Sequence, residues 1–333
     1  MRAVPLEVLR PLFDDERVTE VLVNGPGAVW VERDGVLQLT DVLVDRASLE
    51  RLIERVLGPV GRRVDHASPC VDARLPDGSR VNIVVPPIAV DGPCVCIRRF
   101  RSGFTDLASL ARPAEVQLLT WAVRSRANIL VVGAAGAGKT TLLNALASAI
   151  GPAERVVTIE DAAELALAAA HVVRLEARPA NSEGLGAVTV RDLVRNALRM
   201  RPDRIVVGEI RGPEVVEMVH AMETGHDGSF STCHANNPTD AMRRIETMLL
   251  AAEATLPIEA VRRHLAACID LIVHVERSAA GHREIREIAE VQPLAPGAPE
   301  VSLRTLVARG VPQSTPRRGP RSSDTAPFTW VVA

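Results

Sequence analysis

The chain has a single lysine, no tyrosine and only 2% aromatic residues. Its core must therefore be built from Leu, Val, Ile and Ala, and it offers no aromatic platform on which nucleic-acid bases could stack. Its net charge is -2, and acidic residues are interleaved with its basic clusters, so no direct nucleic-acid binding is expected. No window holds the roughly 18 uninterrupted apolar residues that a membrane-spanning helix needs. The longest apolar runs, such as Asn128 to Gly136, have the length of a strand. Glu7, Asp14, Asp15 and Glu16 stand where a signal peptide would be apolar, so the expected location is the cytoplasm. Five scattered cysteines suit reduced thiols better than a disulfide framework. Cys94 and Cys96 share one face of a strand, and no further ligands follow at zinc-site spacing.

With 47% hydrophobic and 24% charged residues the chain is globular rather than disordered, and 333 residues suffice for two cores. The lone lysine is Lys139; the other 38 of the 39 basic residues are arginine. Wherever a positive charge has only to face water or pair with a carboxylate, arginine serves. Lys139 closes the glycine-rich run Gly133-Ala134-Ala135-Gly136-Ala137-Gly138-Lys139-Thr140. A compact ammonium enters a nest of backbone amides around phosphates where a planar guanidinium is too large.

Residues 1–105 read as an α/β domain. Strands are expected at Val18 to Asn24 and Val29 to Glu32, and Leu49, Leu52, Ile53, Val56 and Leu57 form one helical stripe. Val71 to Leu75 and Arg80 to Val85 flank the turn Pro76-Asp77-Gly78-Ser79, a hairpin signal, and a strand from Cys94 ends in Arg98-Arg99. Residues 106–113 read as the end of a connector that includes Ser102-Gly103. From 114 to 309 strand and helix alternate, with strands at Ile129 to Val132, Val156 to Ile159, Ile205 to Val207 and Ile269 to Val275. That alternation predicts a mostly parallel sheet covered by helices. The Pro-, Arg- and Ser-rich residues 310–333 read as a disordered tail, within which Phe328 to Val332 is apolar enough to dock.

The pattern G-x-x-x-x-G-K-T after an apolar strand and before a helix predicts a phosphate-binding loop. Gly133, Gly136, Ala137, Gly138, Lys139, Thr140 and Thr141 are its candidate nucleotide-binding residues. Lys139 is expected on the β- and γ-phosphates of ATP, and Thr140 on Mg²⁺. Such a site needs a carboxylate at the end of a neighbouring strand. Arg204 to Glu209 delivers Glu209, and Val156 to Asp161 delivers Glu160 and Asp161. One acid would hold the Mg²⁺ shell, partly through water, while another takes the proton from the attacking water. Thr224 to Ser229, followed by Ser231 to Pro238, gathers His226, His234, glycines and hydroxyls around one short apolar step. That is poor core material and suits phosphate sensing better than metal ligation. Arginines that approach the γ-phosphate cannot be picked out by spacing among so many.

These motifs resemble the secretion-superfamily ATPases of type II and type IV machines, the CpaF/TadA-type pilus-assembly ATPases in particular. The resemblance rests on four ordered boxes: the loop at 133–140, Thr158 to Leu165, Leu198 to Gly212, and Ala221 to Ser229 with His234-Ala235-Asn236. Segments of the first domain join them, among them Val23 to Pro26, Val71 to Asn82 and Ile97 to Phe100. It implies a RecA-like P-loop NTPase domain with a smaller N-terminal α/β domain, and Mg²⁺-dependent ATP hydrolysis by a homohexameric ring. It implies a partner too, an inner-membrane platform protein, so that membrane association is peripheral and indirect. Residue by residue, it places Lys139 and Thr140 at the phosphates and Mg²⁺, Glu209 in the Walker B role, and Glu160 as the base. It sets His226 and His234 near the γ-phosphate, and Arg98 as an arginine reaching the nucleotide from the first domain.

Alanines at 134 and 135 and Glu223 between Met222 and Thr224 depart from the usual pattern, and the tetracysteine element of the type II secretion branch is missing. The leading expectation is a Tad/Flp-type pilus motor. A conjugation or type IV secretion ATPase, and a catalytically weak scaffold switched by nucleotide, remain as alternatives.

Overall fold

The computed structural model describes residues 7–100, 106–180, 184–253, 255–278 and 282–331. The chain divides into two compact units, Met1–Ser102 and Gly103–Ala333.

The first unit is a six-stranded antiparallel sheet with helices on one face. Its elements are α1 (Arg10–Asp14), β1 (Val18–Asn24), β2 (Gly27–Arg33), β3 (Val36–Val44), α2 (Arg46–Leu57), β4 (Cys70–Arg74), β5 (Arg80–Val84) and β6 (Cys94–Arg98). The strand order is β3-β2-β1-β6-β5-β4. Alternation puts Val21, Val23, Val29, Val31, Ile83 and Ile97 on the buried face, against the predicted stripe of α2. Asp45 caps α2 by accepting from the N–H of Ser48 at 2.7 Å. β3 goes beyond the expected strands.

The second unit begins within the expected connector. Residues 107–110 form α3 (Leu107–Leu110), and Leu107 is buried in this unit's core; Ser102-Gly103 lie outside the described residues. There follow α4 (Pro113–Arg124), β7 (Ile129–Gly133), α5 (Lys139–Leu146), β8 (Arg155–Glu160), β9 (His171–Glu176), α6 (Val190–Ala197) and β10 (Arg204–Ile210). Then come α7 (Glu214–Glu223), β11 (Phe230–His234), α8 (Pro238–Ala252), α9 (Ile258–Cys268), β12 (Leu271–Arg277), β13 (Arg283–Val291), β14 (Leu303–Ala308) and β15 (Val311–Pro312). The strand order is β15-β14-β13-β12-β7-β11-β10-β8-β9. From β12 to β9 neighbouring strands are parallel, and β13 to β15 extend the sheet as an antiparallel meander. β7 is central and fully buried, so its two faces feed two separate cores. The six strands from β12 to β9 share one direction, and the carboxyl ends of β7, β11, β10 and β8 open on one edge of the sheet. Ligands sit at that edge in such folds.

The expected disordered tail is corrected. Residues 313 and 314 bond β14, residues 317–321 cross the opposite edge of this sheet at Glu290 and Asp270, and residues 325–329 follow α4. Arg318 and Arg321 clasp the buried Asp270 at 2.8 and 2.7 Å, and Arg321 reaches Asp227 at 2.8 Å. The same two guanidiniums cap the terminal carbonyls of α9, at Ala266, Ala267 and Cys268. Phe328 is buried between Trp121 and Trp330, with ring centroids 5.2 and 4.7 Å away. A tail rich in proline and arginine orders here because a buried carboxylate and open helix carbonyls give its guanidiniums partners. Val332, the end of the apolar stretch, lies outside the described residues. Among the described residues no helix is long and apolar enough to cross a membrane.

Candidate active site

The glycine-rich loop turns from β7 into α5, and two of its glycines are dictated by space. A Cβ on Gly133 would lie 2.3 Å from the carbonyl oxygen of Val275. One on Gly138, where φ is +101°, would lie 2.8 Å from Cδ of Arg283. α5 starts at Lys139, so its first-turn N–H groups, which have no intrahelical acceptors, and the positive end of its dipole point out of the loop. Thr140 and Thr141 lie half-buried in that first turn.

Lys139 is buried, and its Nζ donates to the carbonyls of Gly133 and Ala134, both at 3.0 Å. Burial pushes the ammonium below its ordinary pKa, while Glu209 pulls the other way. His234 ends β11 opposite Gly133, which brings its ring to 3.3 Å from Nζ. Nε2 of the same ring is 3.2 Å from Oε1 of Glu209 on β10. Burial, and then the Lys139 charge, lower the pKa of His234. Lys139, His234 and Glu209 thus form a continuous chain of contacts beside the loop.

Glu160 ends β8 on the same edge and is buried. Its Oε1 accepts from the N–H groups of Glu164 and Leu165, both at 2.9 Å, and its Oε2 is a buried oxygen without a hydrogen-bond partner. Burial raises its pKa to about 7. A carboxyl poised there exchanges a proton with water near neutral pH, which is what a general base requires. Glu164, one turn on, serves through its backbone amide.

The two expected histidines part company. His226 precedes β11, whereas His234 ends it. The adjoining Gly228 and Ser229 donate to Oδ1 of Asn128, just before β7 begins. A five-residue strand at about 3.3 Å per residue separates the two sheet edges by roughly 15 Å. His226 therefore belongs to the edge opposite the phosphate loop, and its ring Nδ1 lies 3.2 Å from the carbonyl of Ala221. The pair Arg98-Arg99 divides as well. Arg99 is a structural clasp of the first unit, donating to the carbonyls of Asp15 and Phe13 at 2.5 and 2.6 Å and packing over the Phe13 ring. Arg98 is exposed at the end of β6, 4.0 Å from Glu20.

Three further residues complete the edge. Gly208 packs so closely on Glu160 that a Cβ there would lie 2.7 Å from its Cγ. Arg211 bonds Oε2 of Glu209 at 2.7 Å, and Arg283 covers Gly138 and reaches the Thr141 hydroxyl at 3.4 Å. The sequence signal for Gly208 and Arg211 was their place on either side of Glu209; Arg283 lies 142 positions from Thr141 and carried none. Among the described residues no three His, Cys, Asp or Glu side chains group as a metal cage. Mg²⁺ needs no such cage, since it binds through one or two protein oxygens together with substrate phosphates and water. Thr140 and Glu209 are suited to that arrangement.

Residues 4–299 match the family described as type II/IV secretion system protein. The chain belongs to that family. It is an ATP-hydrolysing enzyme of the P-loop class. A protein of Mycobacterium tuberculosis (strain H37Rv), provisionally named a conjugal transfer protein, is 45% identical over 294 residues, covering 85% of this chain and 83% of that one. The conjugal transfer protein TrbB of Rhizobium radiobacter is 33% identical over 289 residues, covering 84% and 85%. The fold is that of the Legionella pneumophila ATPase DotB, with a TM-score of 0.60 at 21% identity over 84% of this chain and 78% of that one.

Proposed function

We propose that this member of the family is the Mg²⁺-ATP motor of a conjugation or type IV secretion machine, working as a homohexameric ring on the cytoplasmic face of an inner-membrane platform. The observation that carries the motor reading is the convergence of Lys139, His234, Glu209 and Glu160 on one sheet edge. In this reading the loop amides and Lys139 bind the phosphates, and Thr140 and Glu209 hold Mg²⁺. The ion would neutralise phosphate charge during transfer. Glu160 takes the proton of the attacking water, and His234 links the phosphate end of the site to Glu209. Arg98 is assigned the part of an arginine supplied from the first unit. The names of the relatives support conjugation over the Tad/Flp-type pilus that the sequence pattern first suggested.

The pilus reading keeps one observation of its own, the Arg199-Met200-Arg201-Pro202-Asp203 run before β10, which resembles the pilus group. Purified protein assayed for Mg²⁺-ATP hydrolysis tests the motor. A strain carrying Lys139→Ala, scored both for DNA transfer to recipient cells and for surface pili, separates the two machines. Loss of transfer with pili intact is the expected result; loss of pili with transfer intact would reverse the assignment.

A further inference from the structure

Arg211 is the first residue beyond β10, and the turn that holds it is pinned. Its own N–H and that of Gly212 both donate to Oε1 of Glu214, at 2.5 and 2.8 Å. The side chain is more than half exposed, yet its guanidinium is committed on two sides. Nη2 stands 2.7 Å from Oε2 of Glu209, and Nη1 stands 3.6 Å from Oδ2 of Asp161. The other oxygen of Glu209 faces His234 at 3.2 Å. Each oxygen of this carboxylate therefore has its own nitrogen partner, and the acidic ends of β8 and β10 share one arginine.

A guanidinium at 2.7 Å forms a charge-assisted hydrogen bond that fixes the direction of the carboxylate. A hard divalent cation, or a water bound to it, seeks the same oxygen. That oxygen has two lone pairs, so the guanidinium can hold its direction while drawing on charge that the cation also needs. An exposed guanidinium is screened, so it weakens the cation's hold without excluding the cation.

We propose that Arg211 is a positioning residue for Glu209, one that aims the carboxylate and competes with the divalent cation for the charge on Oε2. The proposal rests on the assignment of Glu209 to the Mg²⁺ shell. It makes cation affinity and turnover move in opposite directions when Arg211 is removed, which loss of a surface ion pair would not do.

The test uses the full chain and its Arg211→Ala and Arg211→Lys variants, with a fluorescent ADP analogue as the probe and Mg²⁺ as the titrant. Arg211→Ala should reach half-saturation at roughly two- to fivefold lower Mg²⁺, the size expected for losing one exposed ion pair. At saturating Mg²⁺ its ATP turnover should fall roughly tenfold through loss of orientation, with KM for ATP little changed. Arg211→Lys should fall between wild type and Arg211→Ala on both readings. An unchanged or higher Mg²⁺ requirement in Arg211→Ala would overturn the proposal even with turnover lost. A wild-type protein that binds no Mg²⁺-nucleotide would overturn the motor reading itself, and this inference with it.

Discussion

Gly208 lies against Glu160 so closely that a single added methyl group, 2.7 Å from Cγ, would displace the carboxylate. The contact crosses two adjacent parallel strands and fixes where the candidate base stands. Gly208→Ala should therefore leave nucleotide affinity within about twofold while lowering turnover at least roughly tenfold, because a misplaced catalytic group is costly. Equilibrium binding alongside steady-state kinetics checks this. Wild-type turnover would show that the position of Glu160 is not critical.

Glu160 also ties activity to pH and to stability. Burial lifts its carboxyl to about 7 from the ordinary 4.5. Between those values the folded protein holds a proton that the unfolded chain has released, so stability falls as pH rises through that window and levels off above it. Glu160→Gln does not titrate, and its amide can still accept from Glu164 and Leu165. The variant should be more stable than wild type by up to about 3 kcal/mol at pH 8, with the gap closing near pH 4.5. Turnover of the wild type should rise with pH through about 7, and the variant should lose roughly 10²-fold or more. Denaturant unfolding at several pH values, with single-turnover rates, decides both.

The tail is predicted to hold up the sheet edge away from the nucleotide. Arg321→Ala leaves Asp270 buried with Arg318 as its remaining side-chain partner and cuts the link to Asp227. A loss of roughly 1–3 kcal/mol is expected, the range for a weakened buried charge pair. Tryptophan fluorescence during unfolding reports it, since Trp121 and Trp330 flank Phe328. An unshifted transition would make the clasp ornamental.

What the sequence disclosed follows from how local each signal is. The loop, Lys139 and the strand before it were legible because glycine spacing and an apolar run act within ten residues. So was the hairpin around Pro76-Asp77-Gly78-Ser79. β3 was missed because its outer residues Leu37, Leu39 and Leu43 are apolar and exposed, which blurs the inside-outside alternation. β13 was missed because Arg283 to Val291 spaces its charges at helical intervals, and only pairing with β12 and β14 makes it a strand. His226 and His234 look alike in a motif, but the strand between them carries them to opposite edges. The tail was misjudged because its anchor, Asp270, is distant in sequence.

Arg98 tests whether the first unit takes part in hydrolysis. Arg98→Ala should lower turnover while leaving ATP binding and oligomeric mass unchanged, and a fragment beginning near Gly103, which keeps α3 and the whole second unit, should bind ATP but hydrolyse it poorly. Rate against protein concentration, with light scattering in parallel, supplies the answer. Full activity from a monomeric fragment would remove the first unit from the mechanism.

Lys139 carries the central claim, because no other lysine exists to replace it and its Nζ sits among the loop carbonyls and His234. The most direct measurement is Mg²⁺-ATP turnover and nucleotide affinity of purified Lys139→Ala beside wild type. The account predicts that most turnover disappears and that affinity weakens; wild-type turnover in that variant would contradict it.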